Sequence, residues 1–283
     1  PYGNAVVWQC ARAVDVCARV EAAGAAEVIR QKTGMNLSPY FPASKIAWLL
    51  ENEEGAKEAA ERHEICHGTI DSWLVFKLTE GKEYRTDYSN ASRTQLFNIF
   101  DLKWDAEICK LFGIDPANMA EVTDSDACFG ETDFEGLLPH KIPIHGVLGD
   151  SHGSLFGQGC LQPGMIKSTY GTGSSIMMNI GEKPILSTHG VVTSLAWKIG
   201  GKVNYVLEGN LNYTGAVITW LKDDLQIIAS PGETGPLAKA AIQEDSLYLV
   251  PAFSGLGAPY WDSEARASVV GMSRTTRKAE FVR

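Results

Sequence analysis

The sequence predicts a mixed α/β protein in two domains, on three observations. Its 283 residues are 45% hydrophobic and 21% charged, the balance of a globular chain, at ~100–200 residues per domain long enough for one large domain or two ordinary ones. Apolar residues in the first half recur mainly at helical spacing, whereas the second half is built of short apolar runs flanking glycine turns. The change of texture falls near residue 145, which sets the expected domains at 1–145 and 146–283.

Ala13, Val16, Cys17 and Val20 mark one helix face, with Arg12, Asp15 and Arg19 elsewhere on the wheel. Gly24 interrupts this helix, and Gly34 after Lys32 reads as a C-cap. Pro42 opens a short helix through Ile46, Trp48, Leu49 and Leu50 that runs into a solvated acidic stretch at 51–54. Residues 69–78 read as a further apolar helix stopped by Gly81, 85–93 as a polar loop, and 104–112 as a helix ended by Gly113. Asp115-Pro116 starts a turn. Residues 142–148 are expected to form a buried strand that runs directly into Gly149-Asp150, with a helix over 151–159. Two hairpins follow, one around Gly171-Thr172-Gly173 and one around Gly200-Gly201, then a helix from 212 to 225 and strands at 247–250 and 267–271. No short-period repeat or low-complexity tract is present.

Charge and composition exclude several functions. With 25 basic against 34 acidic residues, a net charge of −9 and no basic cluster, the chain lacks the footprint of a nucleic-acid binder. The longest stretches free of Asp, Glu, Lys and Arg, 151–166 and 246–261, are broken by glycine and proline and fall short of the ~20 apolar residues of a membrane span. No signal-peptide pattern precedes Asn4, and the six cysteines form no C-x-x-C pair. Reduced thiols and a cytoplasmic location are expected. His63-Glu64-Ile65-Cys66-His67 has the wrong separation for a closed zinc site. Without an initiator Met, the chain is expected to be an excised piece.

Asp150 is the leading chemical candidate. Expected between a strand end and a helix start, it suits either a ligand-facing carboxylate or a helix N-cap. Gly171 and Gly173 let backbone amides approach a phosphate, with Thr172, Ser174 and Ser175 supplying hydroxyls, although a hairpin turn has the same composition. Gly149-Asp150-Ser151-His152-Gly153 also matches the Gly-x-Ser-x-Gly nucleophile elbow, a hydrolase reading in which Ser151 would need a later acid and histidine. Apart from His152, only His189 follows.

Read together, the motifs resemble the FGGY carbohydrate kinases, with glycerol kinases the most similar members. The likeness rests on Val7-Trp8-Gln9-Cys10, residues 40–48 with Lys45 and Trp48, Gly68-Thr69-Ile70-Asp71-Ser72-Trp73-Leu74 and Thr86-Asp87-Tyr88-Ser89-Asn90-Ala91-Ser92-Arg93-Thr94. Gly149-Asp150, Tyr170-Gly171-Thr172-Gly173 and residues 255–262 complete it in order. The resemblance implies an actin-like ATPase (ribonuclease H-like) α/β fold of two domains, present here only in part, and ATP-dependent phosphorylation of a small polyol or sugar. It implies Asp150 as catalytic base; Trp8, Tyr40, Ser151 and Ser175 beside Asp150 as substrate-binding; and Thr172, Gly173, Gly215, Ile218 and Thr219 along the nucleotide. ATP and Mg²⁺ are the implied cofactors and a homo-oligomer the implied assembly.

The departures from the glycerol kinase pattern carry an expectation of their own. Ser151 stands where those enzymes have Gln, and Ser175 where they have Phe, which predicts a wider, more polar pocket suited to a tetritol or pentulose. A non-catalytic nucleotide-binding domain of the same fold is the other alternative. The family's opening phosphate hairpin, its Arg-Glu substrate pair and its adenine segment would lie outside residues 1–283. The chain alone is therefore expected to be inactive, and its exposed apolar faces prone to association.

Overall fold

The computed structural model describes residues 2–8, 10–243, 246–262 and 264–283; Gln9 of the Val-Trp-Gln-Cys motif lies outside them. The chain divides into two compact units: Pro1–Ile166 with Met178–Ser187 and Val192–Leu207, and Lys167–Met177 with Thr188–Val191 and Glu208–Arg283.

The first unit opens with helices α1 (Val14–Ala22), α2 (Ala26–Thr33), α3 (Pro42–Asn52), α4 (Ala56–Glu61) and α5 (Ile70–Leu78). As the periodicity predicts, Val16, Cys17 and Val20 are the buried face of α1, and Val16 and Val20 join Ile29, Ile46, Leu50, Ile108 and Phe112 in one core. Pro42 occupies the first turn of α3, where its missing N–H has no partner to lose. Arg19 pairs with Glu51 at 2.5 Å on the surface. Helix α5 forms as expected, but Ile70 (66% exposed), Trp73 (44%) and Leu74 (51%) face outward.

The stretch at 85–93 is not the loop its polarity suggests. It comprises β1 (Arg85–Asp87) and α6 (Tyr88–Ser92), and Thr86, Asp87, Tyr88 and Ser89 are all buried. Its polar groups are satisfied within the stretch and by Asp71, Ser125 and Gly149, which hydropathy alone does not register. Strands β2 (Phe97–Asn98) and β3 (Lys103–Trp104) pair antiparallel. Trp104 is therefore in a strand, and helix α7 (Ala106–Leu111) starts after it because Asp105 caps the amides of Glu107 and Ile108. Strand β4 (Glu121–Thr123) runs parallel to β1, with Asp87 opposite Thr123. Strands β5 (Cys128–Thr132) and β6 (Ile142–His145) pair antiparallel around a bulge.

The predicted buried strand at 142–148 is also revised. β6 ends at His145 and is mostly exposed, and residues 146–149 separate it from α8 (Asp150–Gly157). Four further strands are β7 (Ile166–Tyr170), β8 (Ser174–Gly181), β9 (Val192–Ile199) and β10 (Lys202–Leu211), forming one sheet in the order β7-β8-β10-β9. Both predicted hairpins are present in it. Within the first unit, Leu195 and Tyr205 pack on Tyr88, Phe97 and Ile99, and the Tyr205 hydroxyl donates to the Ile99 carbonyl at 2.8 Å.

The second unit adds α9 (Gly215–Asp223), α10 (Thr234–Ala240), β11 (Tyr248–Val250), β12 (Ser268–Val270) and α11 (Lys278–Val282), with β11 and β12 antiparallel. The loop after β11 docks on Gly190: the Trp261 indole donates to the Gly190 carbonyl at 2.5 Å. A Cβ at Gly190, where φ is +80°, would fall 2.2 Å from the Pro259 carbonyl oxygen. Among the described residues no helix is long and apolar enough to cross a membrane, and all six cysteines are free.

Gly34 shows how a C-cap becomes a tertiary requirement. Its φ of +73° ends α2, and a Cβ there would lie 2.4 Å from the Thr193 carbonyl oxygen, whose residue in turn donates to the Gly34 carbonyl at 3.0 Å. Gly34→Ala in the full-length protein is expected to cost more than the ~1–2 kcal/mol of left-handed strain alone, read as a lower urea midpoint. A loss below that range would mean the β9 backbone gives way freely.

Candidate functional site

The sequence-predicted residues fall into clusters within each unit. In the first, the Trp8 and Tyr40 rings meet at 5.5 Å and 56°, Tyr40 meets Phe41 edge-on at 5.0 Å, and the Arg93 guanidinium lies 5.2 Å from the Phe41 ring. Trp8 is 47% exposed, so the pair offers a wet aromatic surface of the kind that packs on the C–H face of a polyol. Lys45 positions this surface. Its buried ammonium donates to the carbonyls of Pro39 and Tyr40, and burial pushes its pKa below the usual lysine value. Arg12 anchors the Trp8 segment by donating to the Cys10 sulfur at 3.0 Å while lying 4.8 Å over the Trp48 ring. That hydrogen bond lowers the Cys10 thiol pKa. The lysine and tryptophan of the 40–48 motif thus hold the Trp8–Tyr40 pair in place.

Asp150 is the first residue of α8, and Gly149 occupies the N-cap position with no side-chain cap. The carboxylate is exposed, and its Oδ1 accepts from the Ser151 amide at 2.6 Å. A base that must reach a substrate hydroxyl requires this accessibility. Ser151 is half-buried beside it. His152 is buried and its Nε2 lies 3.2 Å from Ser194 Oγ, while His189 is exposed with Nδ1 3.1 Å from the Thr188 hydroxyl. Both of these bonds run to hydroxyls other than that of Ser151 and lend the nucleophile-elbow reading no support.

In the second unit the turn at 171–173 and the start of α9 are stitched together by backbone. The amides of Gly215 and Ala216 donate to the carbonyls of Gly171 and Thr172 at 2.9 and 3.1 Å, and the Thr214 amide donates to Thr172 at 3.0 Å. The approach demands glycine on both sides. A Cβ on Gly173 would lie 2.5 Å from the Leu211 carbonyl oxygen, and one on Gly215 would lie 2.4 Å from that of Gly171. These α9 amides serve the turn, so an anion here would meet the turn rather than the helix end. Thr172 and Thr219 line one cavity of about 330 Å³ with Tyr213, Trp220 and Phe253, and Phe253 packs on Tyr213 at 5.1 Å and on Trp220 at 4.9 Å. Ile218 is half-buried on α9 outside that lining. The three aromatics were not signalled by any sequence motif.

Ser175 has a different environment from the open substrate wall its sequence position predicts. Its Oγ accepts from the Lys167 ammonium at 3.1 Å and donates to Glu208 Oε1 at 3.0 Å. Lys167 (1% exposed) and Glu208 (3%) are both buried, and Lys167 also donates to the Thr169 hydroxyl at 2.9 Å. The three residues lie on neighbouring strands β7, β8 and β10. A hydroxyl has one proton, and here Glu208 takes it. Among the described residues no group of three metal-ligating side chains converges.

The comparisons with known proteins agree with the motifs. The N-terminal domain of the FGGY family of carbohydrate kinases matches residues 1–157, and the C-terminal domain of that family matches residues 166–283. A glycerol kinase of Carboxydothermus hydrogenoformans is 49% identical over all of this chain, and glycerol kinase 1 of Thermotoga maritima is 50% identical. The chain spans 57% of the length of each. The crystal structure of Plasmodium falciparum glycerol kinase with ADP superposes with a TM-score of 0.87 at 35% identity, covering 99% of this chain and 56% of that one.

The Lys167–Ser175–Glu208 set carries a stability prediction. Lys167→Met strands a buried carboxylate and is expected to cost roughly 3–5 kcal/mol. Ser175→Ala removes a bridging hydroxyl and is expected to cost about 1–3 kcal/mol. Urea unfolding of the full-length protein reads both. An unchanged midpoint for Ser175→Ala, together with a raised KM for the acceptor, would return Ser175 to the substrate.

Proposed function

This chain belongs to the FGGY family of carbohydrate kinases, and on that premise we propose that the protein it is part of is an ATP-dependent glycerol kinase. The observation that carries the reading is identity of about half with glycerol kinases along the whole of this chain. Solved xylulose kinases share the fold at lower identity; one from Lactobacillus acidophilus is 23% identical with a TM-score of 0.84. The ADP in the Plasmodium falciparum structure supports ATP as phosphoryl donor here.

In this reading Asp150 takes the proton from a glycerol hydroxyl as its oxygen attacks the γ-phosphorus and ADP departs. Phosphoryl transfer is governed by positioning and electrostatics, and the exposed carboxylate at the start of α8 suits that task. Trp8 and Tyr40 cover the carbon face of the acceptor, and Ser151 borders it. Thr172 and Gly173 face the phosphates, and Gly215, Ile218 and Thr219 follow the nucleotide. A Mg²⁺ that arrives with the nucleotide's phosphates and water is part of this reading. The Ser175 hydroxyl is engaged by Lys167 and Glu208, which leaves it able to accept from an acceptor hydroxyl but not to donate to one. The smaller side chain remains as an argument for a longer acceptor.

An ADP-release assay on the full-length protein across glycerol, erythritol and ketopentoses tests the reading. Glycerol is expected to have the highest kcat/KM, and a larger acceptor that wins would replace it. Asp150→Asn is expected to lower kcat by ~10²–10⁴; retention of turnover within a few fold would remove Asp150 from the role of base.

A further inference from the structure

The Asp87-Tyr88-Ser89-Asn90 motif has no part in the roles assigned so far, yet it ends on the residue next to Asp150. Asp87 is fully buried at the end of β1. Its Oδ1 accepts from Ser89 Oγ at 2.8 Å, the Asn90 amide at 2.9 Å and Asn90 Nδ2 at 2.8 Å. Its Oδ2 accepts from the Ser89 amide at 3.0 Å and from Ser125 Oγ at 2.7 Å. With its one proton committed to Asp87, Ser89 Oγ presents a lone pair, and the Gly149 amide donates to it at 2.9 Å.

Gly149 is also confined on other sides. Its carbonyl accepts from the Gly153 amide at 2.7 Å. A Cβ on it would lie 2.9 Å from His152 Nδ1 and 3.5 Å from Asn90 Oδ1, and the His152 ring is itself held at Ser194. The backbone that carries Asp150 is therefore held at the Gly149 amide by an oriented hydroxyl, with an imidazole close beside it.

We propose that Ser89, oriented by Asp87, is a positioning residue that fixes the Gly149 backbone and through it the direction of the Asp150 carboxylate. This inference rests on the reading of Asp150 as the base. Ser89 touches no reactant; its contribution is the aim of the carboxylate, and a misplacement of about 1 Å can cost ~10²-fold in rate.

The experiment is a double-mutant cycle on the full-length enzyme with glycerol and MgATP. Ser89→Ala is expected to lower kcat roughly 10- to 100-fold while the KM for MgATP stays within about twofold. In an Asp150→Asn background the same substitution is expected to change the residual rate by less than about twofold, because the group it aims is gone. Amide hydrogen exchange at Gly149 should quicken in Ser89→Ala. If Ser89→Ala fails to fold, Ser89→Cys keeps the size with a weaker acceptor and is expected to follow the same pattern with smaller amplitude. A wild-type kcat for either variant, or a loss that persists undiminished beside Asp150→Asn, overturns the positioning role alone. An Asp150→Asn enzyme with near-normal turnover overturns the base assignment and this inference with it.

Discussion

A carboxylate sealed at the end of β1 organises the polar interior of the first unit. Asp87 has no solvent exposure, and an isolated buried carboxylate is costly enough that a chain tolerates one only where hydrogen bonds replace its water. Three segments supply those bonds: the first turn of α6, the Ser125 loop and, one hydroxyl further out, Gly149. Ser125 Oγ also accepts from the Lys198 amide at 3.2 Å, and Ser92 Oγ accepts from the Leu195 amide at 3.1 Å, so β9 is tied to the same cluster. Apolar packing of Leu195 on Tyr88 and Phe97 could settle in several registers. The directed bonds choose one.

The second unit reaches order by another route. Its turn at 171–173 is held to α9 almost entirely by main chain, and each contact is possible because a side chain is missing at Gly173 or Gly215. Backbone groups held this way lose little further entropy when a ligand arrives, which is the preorganisation that phosphate recognition rewards. Beneath the turn, Lys167 and Glu208 are joined through Ser175. The rigid platform and the ionic set below it explain why hydroxyl-rich sequence at 172–175 does not translate into a row of open donors.

Much of the scaffold was legible in the sequence because periodicity reports burial. Val16, Cys17 and Val20 gave α1, Gly34 gave its neighbour's end, and the glycine turns gave both hairpins. Where burial is achieved by polar groups the signal disappears. Thr86, Asp87 and Ser89 look like loop residues until their partners are known, and those partners lie as far along the chain as Ser125 and Gly149. Helix α5 errs in the opposite sense, since Ile70, Trp73 and Leu74 resemble a core and face outward. The pairing of Trp8 with Tyr40 follows no spacing rule, since the residues lie far apart in sequence, whereas the structure sets their rings 5.5 Å apart. Lys45 stood in the same motif, and its service to the Pro39 and Tyr40 carbonyls needed coordinates.

Ser175 shows how one substitution divides into two physical effects that a sequence cannot separate. Relative to a phenylalanine it removes volume and adds a hydroxyl. The hydroxyl gives its proton to Glu208 and one lone pair to Lys167, so it has no proton left to offer an acceptor. The lost volume remains, and in a hydrophobic pocket a methylene-sized difference discriminates by only ~1–3 kcal/mol. Size exclusion at this one position is therefore a weak filter between three- and four-carbon acceptors. Stronger discrimination requires buried polar groups that a wrong acceptor would leave unpaired; the exposed Asp150 carboxylate keeps its water when unpaired and imposes little such penalty.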